Sequence, residues 1–281
     1  MGQLLEKSVY AQEDPIKAPK SSYVPQIMAQ DTSLRIASVD IDAVKSDALK
    51  EQVRRYIDEG FSILVFDAVA VADEERIVSE LAKVYPDALW AGSLGVINAV
   101  ASYVFGAFKP AEHKAKGIRS VGFTASAYTA TRKQLDDAKT HGMKLYTLNI
   151  DKIVRGDESV IESTAEEMCQ GALDASVFLN ISLSPKFETP SSSLDILNAI
   201  TRCAKLVCHK AEFQKLVIVG GETAASILEA LDINTMRITE KTETGIGTGV
   251  IESGPFTGKE IALKGGSVGS LQAISKMLSY E

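Results

Sequence analysis

The chain has 281 residues, enough for one large domain or two ordinary ones. Hydrophobic residues make up 45% and charged residues 24%, which excludes a disordered tail and fits a globular protein. Thirty Lys+Arg against 37 Asp+Glu leave a net charge of −7. That argues against a broad nucleic-acid surface, which needs cationic excess to displace phosphate counterions. It leaves room for a small anion, because a few main-chain N–H groups suffice to hold phosphate.

The N-terminus reads MGQLLEKSVYAQEDP and lacks the basic, apolar and small-residue regions of a signal peptide. Three cysteines, Cys169, Cys203 and Cys208, are too few for a disulfide scaffold and point to a reducing cytoplasm. Leu34 to Ile41 reads as a strand. Leu49, Val53, Tyr56 and Ile57 then mark one face of a helix that stops at Gly60. Ser62 to Phe66 is an apolar run expected to be a strand buried on both faces. Asp73 reads as the N-cap of a helix whose apolar stripe is Ile77, Val78 and Leu81. Ala88 to Phe108 carries no charge and is long enough to span a bilayer, yet its glycines and polar residues favour a buried helix started by Gly92-Ser93.

Lys109 to Gly117 is polar, contains Pro and Gly, and is the best linker candidate. It separates a first domain, residues 1–108, from a second, residues 118–281. The second series places strands at Ile118–Thr124, Lys144–Ile150, Ala175–Ile181 and Lys215–Val219, with helices at Thr131–Thr140, Glu158–Gln170 and Ser193–Cys208. Leu194, Leu197, Ile200 and Ala204 mark one face of the last of these helices. Short β segments follow at Met236–Glu240, Val250–Glu252 and Glu260–Leu263, then a final helix over Ser270–Ser279. This alternation implies two three-layer α/β domains with mainly parallel sheets. The opening segment holds Pro15, Pro19 and Pro25 without periodicity, and only two convincing strands precede the linker. The first domain is therefore expected to be incomplete.

The strongest chemical signal is Gly220-Gly221-Glu222-Thr223, where a buried strand runs straight into a helix. Glycine lets a ligand approach the backbone, and the helix start offers N–H groups suited to phosphate. A tight β–α turn with no ligand reads equally well from the turn alone. Lys264-Gly265-Gly266-Ser267-Val268-Gly269 is a second such loop, and Lys264 adds a point charge for a phosphate. Neither loop has the P-loop pattern. Gly245-Ile246-Gly247-Thr248-Gly249 imitates half of a dinucleotide fingerprint but lacks a following helix, and reads as a loop entering a strand. Ser126, Thr131 and Gln134 follow a strand end, as does Asp67; each reads as a cap or as a ligand contact. Cys203, Cys208 and His209 lack zinc-site spacing, and three scattered histidines give no nucleophilic triad.

The run KLVIVGGETAASILEALDI followed by ALKGGSVGS resembles the nucleotide-binding domain of the four-carbon acid sugar kinases. That family carries a Gly-Gly-Glu-Thr turn, here Gly220 to Thr223, and a Lys-x-Gly-x-x-Gly loop, here Lys264 to Gly269. Its Gly-Ser-x-Ser-Pro-x-Thr-x-x-Gln segment is met by Ser126, Thr131 and Gln134, with departures at Ala125, Tyr128 and Thr129. The first half is similar at Asp14-Pro15 with Ser22-Tyr23-Val24, at Phe66-Asp67-Ala68 followed by Asp73, and at Gly92-Ser93-Leu94-Gly95. The family's opening Asp-Asp-x-Thr-Gly turn has no counterpart here.

The resemblance implies an ATP-dependent kinase acting on the terminal hydroxyl of a four-carbon sugar acid such as threonate, erythronate or 3-oxo-tetronate, with Mg²⁺ between the phosphates. It implies nucleotide contacts at Ser126, Gly220, Gly221, Glu222, Thr223, Gly266 and Gly269, and a substrate side at Asp67, Gly92 and Ser93. The general base stays unassigned. The alternative is a truncated, non-catalytic nucleotide-binding module or subunit that needs a separate N-terminal chain. A truncated first domain would expose apolar sheet and favour self-association.

Overall fold

The structure is a computed structural model. It describes residues 4–8, 11–12, 18–106, 118–182, 190–240, 243 and 245–279. The linker expected at Lys109 to Gly117 and the pair Asp14-Pro15 lie outside the described residues. The chain divides into two compact units, Met1–Lys109 and Pro110–Glu281.

In the first unit, α1 (Val24–Met28) starts with Pro25 in its first turn, where no N–H is required. Strand β1 (Ile36–Val39) is shorter than the expected Leu34–Ile41, because the Asp40 side chain caps helix α2 (Ile41–Lys45) by accepting from the Ala43 amide at 2.8 Å. Helix α3 (Leu49–Asp58), strand β2 (Ile63–Phe66) and helices α4 (Val71–Leu81) and α5 (Leu94–Phe105) follow. The two strands are parallel, in register from Ile36↔Ile63 to Val39↔Phe66. Val39, Val44, Leu49, Val53, Ile77 and Leu81 form one core.

Three expectations for this unit are corrected. Strand β2 is half-buried along its length, because among the described residues it pairs on one side only. Asp73 does not cap α4; it lies in the first turn, where its carboxylate accepts from the Val69 and Ala70 amides, each at 2.9 Å. The Val69 amide, with that of Ala70 and the Lys45 ammonium, holds this carboxyl below the usual range. Helix α5 starts at Ser93 as expected but is not buried: Ala99 is its one buried residue, while Phe105 is 87% exposed and Ile97 62%. No helix among the described residues is long and apolar enough to cross a membrane.

The second unit runs β3 (Ser120–Thr124), α6 (Thr129–Thr140), β4 (Lys144–Leu148), α7 (Ile150–Val154), α8 (Ser159–Gly171), β5 (Val177–Ile181), α9 (Pro190–Lys210), β6 (Lys215–Val219), α10 (Gly221–Ala230), β7 (Met236–Glu240), β8 (Ile246–Ile251), β9 (Glu260–Lys264) and α11 (Ala273–Met277). The seven strands lie in the order β4-β5-β3-β6-β9-β8-β7. The first five are parallel, and β8 is antiparallel to both its neighbours. Strands β3, β5 and β6 are buried at every position, as expected for strands covered on both faces.

Alternation along each strand sorts the helices onto two faces. Val177, Leu179, Ile181, Leu216 and Ile218 pack with residues of α8, α9 and α10. Phe178, Val217, Val219 and Ala262 pack with Leu135 and Ala138 of α6 and Ile274 and Met277 of α11. Helix α9 buries Ile200 and Ala204 and packs Leu197 on the core as expected, together with Ile196, Cys203 and Val207; of the expected stripe Leu194 alone is exposed. The Gly-Ile-Gly-Thr-Gly segment is strand from Ile246 onward, and a Cβ at Gly249 would strike the Arg237 carbonyl of β7. Its glycine serves close strand pairing.

Gly122 has a similar cause: a Cβ there would run into the ring of fully buried Phe178. Gly122→Ala is expected to lower unfolding stability by about 1–3 kcal/mol through overpacking, measured by urea denaturation; wild-type stability would show that the ring has room to move.

Candidate functional site

Strands β3, β6 and β9 end level with one another, Thr124 beside Val219 and Val219 beside Lys264. The Gly220 amide donates to the Lys264 carbonyl at 2.9 Å, the last rung between β6 and β9. Beyond it the chain after β6 enters α10 on one face, and the chain after β9 leads to α11 on the other. Neighbouring parallel strands whose connections leave on opposite faces open a crevice at their carboxyl ends, where α/β sheets bind ligands.

The first wall is the Gly220 to Thr223 turn. Gly220 has φ +109°, a conformation that favours glycine. Thr223 is buried beneath it: a Cβ on Gly220 would lie 3.1 Å from the Thr223 hydroxyl. The first i to i−4 bond of α10 runs from the Ala224 amide to the Gly220 carbonyl, so the amides of Gly221, Glu222 and Thr223 precede the helical ladder. They carry the positive end of the helix dipole. Gly221 is exposed, and the space its Cβ would fill is open. Glu222 is exposed at the same turn.

The second wall is the loop after β9. Lys264 is buried and folds back to donate to the Gly265 carbonyl at 2.8 Å and the Gly266 carbonyl at 3.2 Å. From α6, the Thr131 hydroxyl donates to the Gly266 carbonyl at 2.5 Å, and the Gln134 amide donates to the carbonyls of Val268, Gly269 and Ser270 at 3.1, 3.2 and 2.9 Å. In a trans peptide the next N–H points opposite to the carbonyl. The amides of Ser267 and Gly269 are thereby turned away from α6.

The loop after β3 joins the two. The Thr124 hydroxyl donates to the Val219 carbonyl at 2.9 Å and accepts from the Ser126 amide at 3.0 Å. The Ser126 and Thr131 hydroxyls are 3.0 Å apart. A Cβ on Gly266 would come within 2.8 Å of the Ser126 hydroxyl and 2.9 Å of the Tyr128 ring, so the two loops touch at a point that admits no side chain. Gly269 is exposed with φ +93° and packs on Ala273 as the chain turns toward α11.

Electrostatics favour an incoming anion. Burial pushes the Lys264 ammonium down to about 8, partly offset by the Glu243 carboxylate. Burial pushes Glu243 up, but hydrogen bonds from Lys276 and Ser270 together outweigh it and hold the carboxyl at about 2. Glu243 accepts from the Ser270 amide at 2.7 Å, the Ser270 hydroxyl at 2.6 Å and the Lys276 ammonium at 2.5 Å, pinning the far end of the loop. Burial raises all three thiols: Cys203 is pushed up to about 12, and Cys208 and the partly buried Cys169 are raised for the same reason. Among the described residues no three His, Cys, Asp or Glu side chains gather into a metal site.

The structure thus brings Ser126, Gly220 and Gly266 together with the start of α10. Asp67, Gly92 and Ser93 belong to the first unit. Asp67 lies just beyond β2, its amide bonded to the Val39 carbonyl at 2.9 Å, and Gly92 and Ser93 are exposed ahead of α5. Among the described residues no hydrogen bond or ion pair joins Asp67 to Gly92 or Ser93. Sequence reasoning missed Thr124 and Glu243. A hydroxyl closing a buried strand was a usable signal for Thr124; Glu243 has none, since its partners lie 27 and 33 positions away.

A family model for a nucleotide-binding C-terminal domain matches residues 122–274, and one for a sugar-binding N-terminal domain matches residues 1–100. The chain belongs to the four-carbon acid sugar kinase family. No curated protein matches it. A protein of Salmonella typhimurium LT2, solved under a provisional tRNA synthase label, is similar at 18% identity and TM-score 0.70, over 97% of this chain and 66% of its own. A Haemophilus influenzae protein of family DUF1537 is similar at 18% identity and TM-score 0.59, with the same coverages. A DUF1537 domain from Bordetella bronchiseptica, a domain-swapped dimer with bound citrate, is similar at 18% identity and TM-score 0.50, over 97% and 64%. This acid sugar kinase family member therefore spans just under two thirds of the length of these structures, and they share its α/β fold.

Lys264 supplies a pH test of the loop. Its folded pKa, about 8, lies below the ordinary lysine value of 10.5, so the unfolded chain binds more protons between those values. Wild-type protein is expected to gain stability relative to Lys264→Met as pH rises from 8 to 10.5, followed by denaturant unfolding. A pH-independent difference would show that the ammonium is not desolvated.

Proposed function

We propose that residues 118–281 bind ATP in the crevice between β6 and β9, and that the chain is an ATP-dependent kinase acting on the terminal hydroxyl of a four-carbon sugar acid. The observation that carries this reading is the pairing of two main-chain walls, the amides of Gly221 to Thr223 and those of Ser267 and Gly269, with the Lys264 ammonium buried beneath the second. Amides and a lysine fit a polyphosphate without needing a protein metal cluster. Ser126 and Gly220 shape the floor, and Glu222 is an acid at the turn. A carboxylate beside phosphate is repulsive unless a cation lies between them, which fits Mg²⁺ carried in with the nucleotide.

Phosphoryl transfer needs position and charge neutralisation more than covalent help. In the transfer, a bond forms from the acceptor oxygen to the γ-phosphorus, the hydroxyl proton passes to a carboxylate base or to solvent, the bond from that phosphorus to the bridging oxygen breaks, and ADP leaves. The amides and Lys264 would hold the departing charge. On the acceptor side we assign Asp67, Gly92 and Ser93 to the sugar acid, such as threonate, erythronate or 3-oxo-tetronate. A second reading is a nucleotide-binding module that needs a separate N-terminal chain for turnover; the chain spans 66% of the length of two solved relatives.

Calorimetry with ADP is expected to show saturable binding. Gly221→Val should weaken it about tenfold or more while leaving the melting temperature unchanged, because the space around Gly221 is open. Ser126→Ala should weaken it less. Affinity should fall as pH rises above 8, since binding then requires Lys264 to take up a proton, and Lys264→Met should lose that dependence. Unchanged affinity in Gly221→Val would remove the site. ADP release from ATP in the presence of the four-carbon acids separates the two readings: turnover by the purified chain selects the kinase, and binding without turnover selects the module. Sizing of the same sample tests self-association.

A further inference from the structure

Arg132 ends the first turn of α6, its amide bonded to the Tyr128 carbonyl at 3.2 Å. Its guanidinium reaches Asn180 on β5. The Asn180 amide nitrogen donates to the Thr147 hydroxyl at 2.7 Å and the Tyr146 carbonyl at 3.0 Å, which fixes its oxygen to accept from Arg132 Nη1 at 2.9 Å. The other two nitrogens, Nε and Nη2, are buried and have no hydrogen-bond partner. Those two form the side-on edge of the guanidinium, whose spacing matches two oxygens of one carboxylate or phosphate. The acidic group one turn along, Asp136, is paired with Lys139 at 4.0 Å. A guanidinium stays protonated in proteins, so this is a charge held in place with its best binding edge unsatisfied, an expensive arrangement unless an anion arrives. Burial weakens its hold on the proton, and Asp136 opposes that.

The location is a second strand divergence. Strands β3 and β5 are neighbours, yet α6 packs on the face of Phe178 and α9 on the face of Leu179 and Ile181. The two strands thus lead to helices on opposite faces, as β6 and β9 do, and α/β sheets bind ligands at such divergences. We propose that Arg132 is an oxyanion-binding residue, its Nε–Nη2 edge taking two oxygens of a phosphate or carboxylate group on a small-molecule ligand while Asn180, Thr147 and Tyr146 hold the guanidinium in place.

The test titrates the full chain with sodium phosphate and with sodium malonate, against sodium chloride at matched ionic strength, by thermal shift and calorimetry. The expected result is stabilisation by one of the two anions, which identifies the group. In the Gly221→Val background, which weakens anion binding at the β6–β9 crevice, the response should be about tenfold weaker with Arg132→Lys, which keeps charge but loses the fork, and absent with Arg132→Gln. It should survive in Gly221→Val. No response in wild type, equal responses in both Arg132 variants, or loss of the response in Gly221→Val would each overturn the proposal. Failure of ADP to bind would sink the nucleotide reading and leave this one standing.

Discussion

One main-chain hydrogen bond, from the Gly220 amide to the Lys264 carbonyl, closes the β6–β9 pair and marks where the two chains part. Everything at the carboxyl edge depends on that parting. Each connection leads to a helix on its own face, so neither can cover the gap between them. The left-handed backbone at Gly220 makes the departure abrupt enough to start α10 at the next residue, leaving its first amides at the edge of the crevice. Replacing that geometry by a longer loop would withdraw both the dipole and the donors.

The opposite wall obeys a satisfaction rule. A loop of small residues over a sheet edge would leave carbonyls stranded, and buried carbonyls require donors. Thr131, Gln134 and Lys264 supply them, and Glu243 ties down the Ser270 end. The outward amides follow from these inward carbonyls through the planar peptide. Lys264 loses solvation in serving the loop, which is why it binds its proton weakly and why a nearby anion would be welcome. Loop order and ligand attraction thus share one side chain.

The two units differ in how well they cover themselves. The second buries β3, β5 and β6 completely between two helix layers. Among the described residues the first has a two-stranded sheet with a small core, and its most apolar helix, α5, buries one alanine. A sheet of two strands offers too little face to cover such a helix, so the charge-free segment that reads as a buried element is largely exposed.

The chain's own letters determined the α/β alternation, the two glycine-rich turns and the family, because periodicity, strand-end glycines and motif order are local properties. They also exposed the Gly245 to Gly249 imitation, since no helix pattern follows it. They misplaced the Asp73 cap, Leu194 at the start of the α9 stripe and the burial of α5, where the outcome rests on what packs opposite rather than on spacing. Only the tertiary structure decided that β6 and β9 are neighbours with diverging exits, that Thr131 and Gln134 reach a loop some 135 residues onward, and that Arg132 keeps two nitrogens unpaired beside Asn180. The reason is physical: which strand lies beside which, and which donor meets which carbonyl, is set by the packing of distant segments, and no local pattern encodes it.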